Sequence, residues 1–140
     1  MGGVFTRGVI QNTARKQQII DFRDLRYGNI TPTDTDAEIE YHDKAWIWIE
    51  YKYMDAELPY GQRLALERKV KDAEKAGKEA IAIVAEHFVH DVNQSVQGDI
   101  CMVREICYKQ GYRWRPPNYH CTVKQLTDRF IEMVDRDKTL

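Results

Sequence analysis

Four ionisable residues in the first half of the chain stand where chemistry could be done. Asp34 and Asp36 lie two apart just after Pro32, and Glu50 and Lys52 lie two apart at the end of the run Ala45-Trp-Ile-Trp-Ile-Glu-Tyr-Lys-Tyr53. Residues two apart in a strand project from the same face, so each pair would share one side of a sheet. Desolvating a carboxylate and an ammonium at the end of an apolar strand is costly unless a partner or a metal compensates them. Two carboxylates brought together repel and shift each other's pKa unless a divalent cation lies between them. Hard oxygen ligands of this kind suit Mg2+ or Mn2+, with water, phosphate and a main-chain carbonyl completing the coordination.

Two strands and the turn between them must position these groups. Asp36-Ala-Glu-Ile-Glu-Tyr41 alternates with period two, and residues 45–53 are apolar on both faces until the end, which predicts a doubly covered central strand. A three-residue loop His42-Asp43-Lys44, with Asp43 or a neighbour in the left-handed conformation, pairs Tyr41 with Ala45. Asp36 then falls opposite Glu50 and Asp34 opposite Lys52, with directly opposed Cβ atoms ~5 Å apart. A two-residue loop would put Asp36 on the other face, so the site depends on register.

Other elements follow from local pattern. From about Thr13 to Tyr27, Ile19, Ile20, Phe22 and Leu25 predict a helix with Gly28 as its stop. Pro32 makes residues 29–36 extended or turning. Pro59-Tyr60-Gly61 opens a second helix, striped by Leu66, Val70 and Ala73 and ending near Ala76-Gly77. Glu79 to Glu86, with the core Ala-Ile-Ala-Ile-Val-Ala, reads as a buried strand, and its place after a helix predicts a mixed sheet with a right-handed crossover. Residues 87–97 read as irregular, Asp99 to Tyr108 as a further strand, and Tyr112 to Pro117 as an extended turn. Thr122-Val-Lys-Gln125 matches a capping box, leading a helix with Val123, Leu126, Phe130 and Val134 on one face. The expectation is one α/β or α+β domain over residues 1–140, a mixed sheet flanked by helices.

Composition narrows the class. The chain has 140 residues, 3 Trp, 8 Tyr and 4 Phe, enough to bury a core, which argues against disorder. No apolar stretch approaches the ~20 residues of a membrane span, and no signal-like apolar segment opens the chain. Three cysteines suit a reducing compartment, so a soluble cytoplasmic protein is expected. Lys+Arg and Asp+Glu nearly cancel, at 21 and 22, but unevenly. Residues 31–58 hold eight acids and two lysines, residues 104–129 six bases and two acids, and the first 27 residues five bases and two acids. An acidic middle between basic flanks fits a metal site in a polyanion-binding protein, and it also fits ordinary solvated faces. No Gly-rich phosphate loop and no G-x-S-x-G elbow occurs, which disfavours nucleotide-driven motors, dinucleotide oxidoreductases and serine hydrolases.

Pro32-Thr-Asp34-Thr-Asp36 followed by Glu50-Tyr51-Lys52 resembles the signature of the PD-(D/E)XK nuclease superfamily, and the α-β-β-α-β order over residues 13–86 resembles its restriction-endonuclease-like core, with residues 87–140 as an extension carrying an extra strand and helix. The resemblance implies Mg2+- or Mn2+-dependent hydrolysis of phosphodiester bonds in DNA, as an endonuclease or exonuclease. It implies that Asp36 and Glu50 bind the metal with the main-chain carbonyl of Tyr51, and that Lys52 orients or activates water or offsets charge on the phosphate. In that superfamily the proline usually directly precedes the acid, whereas here Thr33 intervenes. Asp36 is favoured because it opposes Glu50 and begins the alternating strand, and Asp34 stays as an additional acid. Gln62 heads the Leu66–Val70–Ala73 stripe and resembles a glutamine that several branches place beside the active site. An acid of the first helix, Asp21 or Asp24, could join it. The alternative function is a catalytically silent nucleic-acid-binding module of the same fold.

Weaker signals complete the reading. Tyr112-Arg113-Trp114-Arg115 interleaves bases with aromatics, as a nucleic-acid surface would through Arg113, Trp114 and Arg115, or as a packed turn with cation–π contacts would. Cys101, Cys107, His120 and Cys121 lack zinc-knuckle spacing and read as buried thiols. At 140 residues the footprint is small, and a homodimer or a partner nuclease or recombination subunit would help hold the substrate.

Overall fold

The computed structural model describes residues 5–6, 9–10, 20–33 and 35–136. They fall in two compact units, residues 1–33 and 34–140. In the first unit, β1 (Phe5–Thr6) and β2 (Val9–Ile10) form an antiparallel ribbon with Phe5 opposite Ile10. Further on, Tyr27 and Ile30 exchange backbone hydrogen bonds across a tight turn in which Gly28 takes φ +65°. Residues 20–27 are not helical, which corrects that part of the helix expected over 13–27. Residues 11–19 of that helix lie outside the described residues. The cause of the correction is local: the Asp21 carboxylate accepts the Arg23 N–H at 2.9 Å and pairs with the Arg23 guanidinium at 2.7 Å. Such an aspartate turn offers the backbone an alternative to a helix, and Gly28 serves the Tyr27–Ile30 turn rather than a helix end.

The second unit is α+β, with a five-stranded mixed sheet and two α-helices among the described residues. Its strands are β3 (Ala37–Tyr41), β4 (Ala45–Tyr53), β5 (Glu79–His87), β6 (Met102–Cys107) and β7 (Trp114–Arg115), side by side in that order. Only β4 and β5 run parallel, joined by α1 (Tyr60–Lys75), and α2 (Val123–Arg136) closes the chain. Alternate residues of β4 and β5 build two core layers. Ala45, Ile47, Ile49, Ile81, Ile83 and Ala85 pack beneath Val123, Leu126, Phe130 and Met133 of α2. Trp48, Ala80, Ala82 and Val84 pack beneath Leu66 and Val70 of α1. Both faces of β4 are therefore covered, as its unbroken apolar run predicts.

Helix ends obey their local chemistry. Gly77, at φ +85°, follows α1 and lets the Lys78 N–H reach the Ala73 carbonyl at 3.0 Å. Thr122 and Gln125 form the reciprocal capping box of α2, Gln125 N–H to Thr122 Oγ1 at 3.1 Å and Thr122 N–H to Gln125 Oε1 at 2.9 Å. The strand expected from Asp99 starts later, because residues 98–100 make a 3-10 turn whose Gly98 carbonyl accepts the Tyr51 hydroxyl at 3.2 Å. No helix among the described residues is long and apolar enough to cross a membrane.

Candidate active site

Loop length decides which side chains meet. His42 and Asp43 both take positive φ, 48° and 59°, and the Lys44 N–H closes the turn on the Tyr41 carbonyl at 2.8 Å. Aspartate and histidine tolerate this region better than most residues. Tyr41 pairs with Ala45 and Ala37 with Ile49, the register that a three-residue loop predicts. One step beyond the strand, Asp36 comes to Glu50. Asp36 is exposed, and its Oδ2 accepts the Tyr51 N–H at 2.8 Å, which folds the carboxylate back onto β4.

Glu50 lies on the α1 side of the sheet and is 6% exposed, the one buried charged side chain among the described residues. Its pKa is pushed up to about 7, first by burial, then by the hydrogen bond and like charge of Asp36, with Lys52 pulling the other way. Burial beside the Asp36 carboxylate therefore favours the protonated form of Glu50.

A third oxygen points the same way. In a strand, the N–H and C=O of one residue face the same neighbour. The Tyr51 N–H goes to Asp36, so its carbonyl also faces the β3 side of β4, past the point where β3 ends. The Tyr51 ring leans into the opposite, α2-side core, and burial pushes its hydroxyl up to about 12. A Cβ on Gly98 would lie 2.7 Å from that hydroxyl, so glycine is what allows the close approach.

Lys52 shares the face of Glu50 and is half-buried. In the parallel register it neighbours Glu86 at the end of β5. Glu86 was not singled out as a site residue from the sequence, because only the β4–β5 register reveals that neighbour. A bulge in β6 between the Val84–Glu105 and Ala85–Val103 pairs leaves Arg104 as the extra residue. Bulges re-aim side chains in this manner. The Arg104 guanidinium reaches the carbonyls of Met54 at 3.3 Å and Ala56 at 2.7 Å, and stands 3.9 Å from Glu86. It pins the chain leaving β4.

Gln62 belongs to the same end of the sheet. Leu66 and Val70 pack over Trp48 and Val84, and α1 runs back from the end of β4 to the start of β5. Gln62, in the first turn of α1, therefore lies at the end of the sheet where β4 finishes. Its Oε1 is buried with no hydrogen-bond partner among the described residues.

Other residues singled out from the sequence lie elsewhere. Asp34 falls outside the described residues, and Asp21 and Asp24 belong to the first unit. Arg113, Trp114 and Arg115 sit at or beside β7, three strands from β4, roughly 14 Å at the usual strand spacing. Trp114 is half-buried with the Arg63 guanidinium 5.3 Å over its ring, and Arg115 donates to the Tyr108 and Arg113 carbonyls. That geometry is the packed turn, with Arg113 alone of the three exposed. Cys101, Cys107 and Cys121 are free, buried thiols.

Among the described residues no three His, Cys, Asp or Glu side chains cluster to hold a metal ion. The site offers two carboxylates and one main-chain carbonyl, with an amine and an amide at the same end of the sheet. This donor set fits a hard divalent cation that keeps open positions for water or phosphate. Compared with known proteins, the chain matches no family model, no curated protein and no solved structure.

Proposed function

We propose that this protein is a Mg2+- or Mn2+-dependent nuclease of the PD-(D/E)XK type that hydrolyses phosphodiester bonds in DNA. On this reading β3, β4, α1 and β5 correspond to the restriction-endonuclease-like core. The observation that carries it is the meeting of Asp36 with the buried Glu50, whose pKa is pushed up to about 7. A carboxylate held at this cost in burial and repulsion is explained by a bound cation.

Asp36, Glu50 and the Tyr51 carbonyl would hold the metal. When bound, such a cation lowers the pKa of water and neutralises charge on the phosphoryl oxygens. Glu50 must lose its proton to serve as a ligand, so neutral to alkaline pH favours the competent form. Lys52, two residues along the same face, orients the attacking water or offsets negative charge gathering on the phosphate. Gln62 supplies an unpaired amide oxygen at this end of the sheet, where it accepts a hydrogen bond from water or a sugar hydroxyl. Linear and supercoiled DNA incubated with Mn2+, with and without EDTA, tests the reading. The parent should cut only with metal, and Glu50→Gln should cut at least ~100-fold more slowly. Equal cutting by parent and variant refutes the proposal.

A further inference from the structure

The rim of the carboxylate site is aromatic and acidic. Tyr60, the first residue of α1, is 77% exposed, and Phe88, just beyond the end of β5, is 58% exposed. Tyr53, at the end of β4, pairs in register with His87 and is 39% exposed. The Met54 N–H bonds the His87 carbonyl at 2.8 Å, so the chains carrying Tyr53 and Phe88 leave the sheet together. Tyr60 and Phe88 therefore lie at the end of the sheet that carries Glu50 and Lys52, whereas Tyr53 alternates to the opposite face of β4.

Two basic groups described there are committed. Arg104 is held by Glu86 and two carbonyls, and Arg63 by Glu105 at 2.7 Å, Glu57 at 3.2 Å and the Leu58 carbonyl. Lys52 belongs to the carboxylate face itself. Asp55 and Glu57, in the segment that leaves β4, are exposed. Duplex DNA carries one charge per ~1.7 Å and needs several cations to neutralise it, and the described basic residues at this end are mostly engaged within the chain. Exposed rings suit a base whose faces are free.

We infer that the site takes unpaired nucleotides, a single strand or a frayed end, by stacking bases on Tyr60 and Phe88. The inference rests on the nuclease reading for its chemistry, but its binding step is separable. The test uses the full chain carrying Glu50→Gln, with a fluorescein-labelled thymidine strand of about ten nucleotides and a blunt duplex of equal length, read by anisotropy. The strand should bind at least ~10-fold more tightly than the duplex, with a shallow salt slope near −0.7 per phosphate neutralised. Tyr60→Ala and Phe88→Ala should each weaken strand binding by roughly five- to hundredfold, and Tyr60→Phe should retain it. Both positions are exposed, so unchanged melting temperatures will show that the alanine variants are folded. Equal or tighter duplex binding, no strand binding, or alanine variants that bind as before overturns the inference. Strand binding without cleavage by the parent would sink the nuclease reading alone, and cleavage confined to duplex would sink this inference alone.

Discussion

Replacing Glu50 by glutamine should make the metal-free protein more stable and remove a pH dependence from its unfolding. In the folded chain Glu50 titrates at about 7 against an ordinary 4.5. Between those values the folded protein holds a proton that the unfolded chain has released, so stability falls as the pH rises through that window and levels off above it. At ~1.4 kcal/mol per pH unit the full loss is about 3 kcal/mol. For a folded unit of roughly a hundred residues that is on the order of 10 °C in melting temperature. The assay is a set of thermal melts in EDTA from pH 5 to pH 8.5, parent beside Glu50→Gln, so that titrations common to both cancel. The parent's melting temperature should drop relative to the variant's across the window. Added Mn2+ at pH 8 should restore the parent by mass action and leave the variant nearly unmoved. Parallel pH profiles, or equal Mn2+ stabilisation of both proteins, would refute the reasoning that burial beside Asp36 prepares Glu50 for a cation.

Asp36→Ala and Lys52→Ala should each lower Mn2+-dependent cleavage by at least ~100-fold while the far-UV spectrum stays unchanged. Thr122→Ala removes one half of the α2 capping box and should cost about 1 kcal/mol in urea unfolding. Phe130→Ala empties a fully buried position under the sheet, and a loss of roughly 3–5 kcal/mol is expected by the same measurement.

Much of the second unit was legible because its signals are local. The hairpin register followed from three loop residues, α1 from the Leu66–Val70 stripe and Gly77, β5 from six consecutive apolar residues, and the start of α2 from Thr122 and Gln125. These features are decided within a few residues of themselves. The missed features are decided elsewhere. The period of Ile20, Phe22 and Leu25 suggests a helix, but helices owe most of their stability to a packed face, and these side chains are exposed in the structure while Asp21 caps a turn. Glu86 becomes Lys52's neighbour only through parallel pairing across a 25-residue excursion (residues 54–78), and Arg104 reaches the Met54–Ala56 loop only because β6 bulges. Trp114 was ambiguous for the same reason: whether a ring is packed or offered depends on the Arg63 that covers it.

The turn at His42–Lys44 gives this site an unusual kind of fragility. It lies five strand residues from Asp36, roughly 17 Å by strand rise, and touches nothing that does chemistry. Its amino acids can vary wherever positive φ is tolerated, at the cost of the exposed Asp43–Lys78 ion pair. Its length is another matter, since an odd or even count determines which side of the sheet the first acid faces. Divergence by substitution can therefore wander freely there, while gain or loss of one codon erases the acid pair without altering a single one of its members.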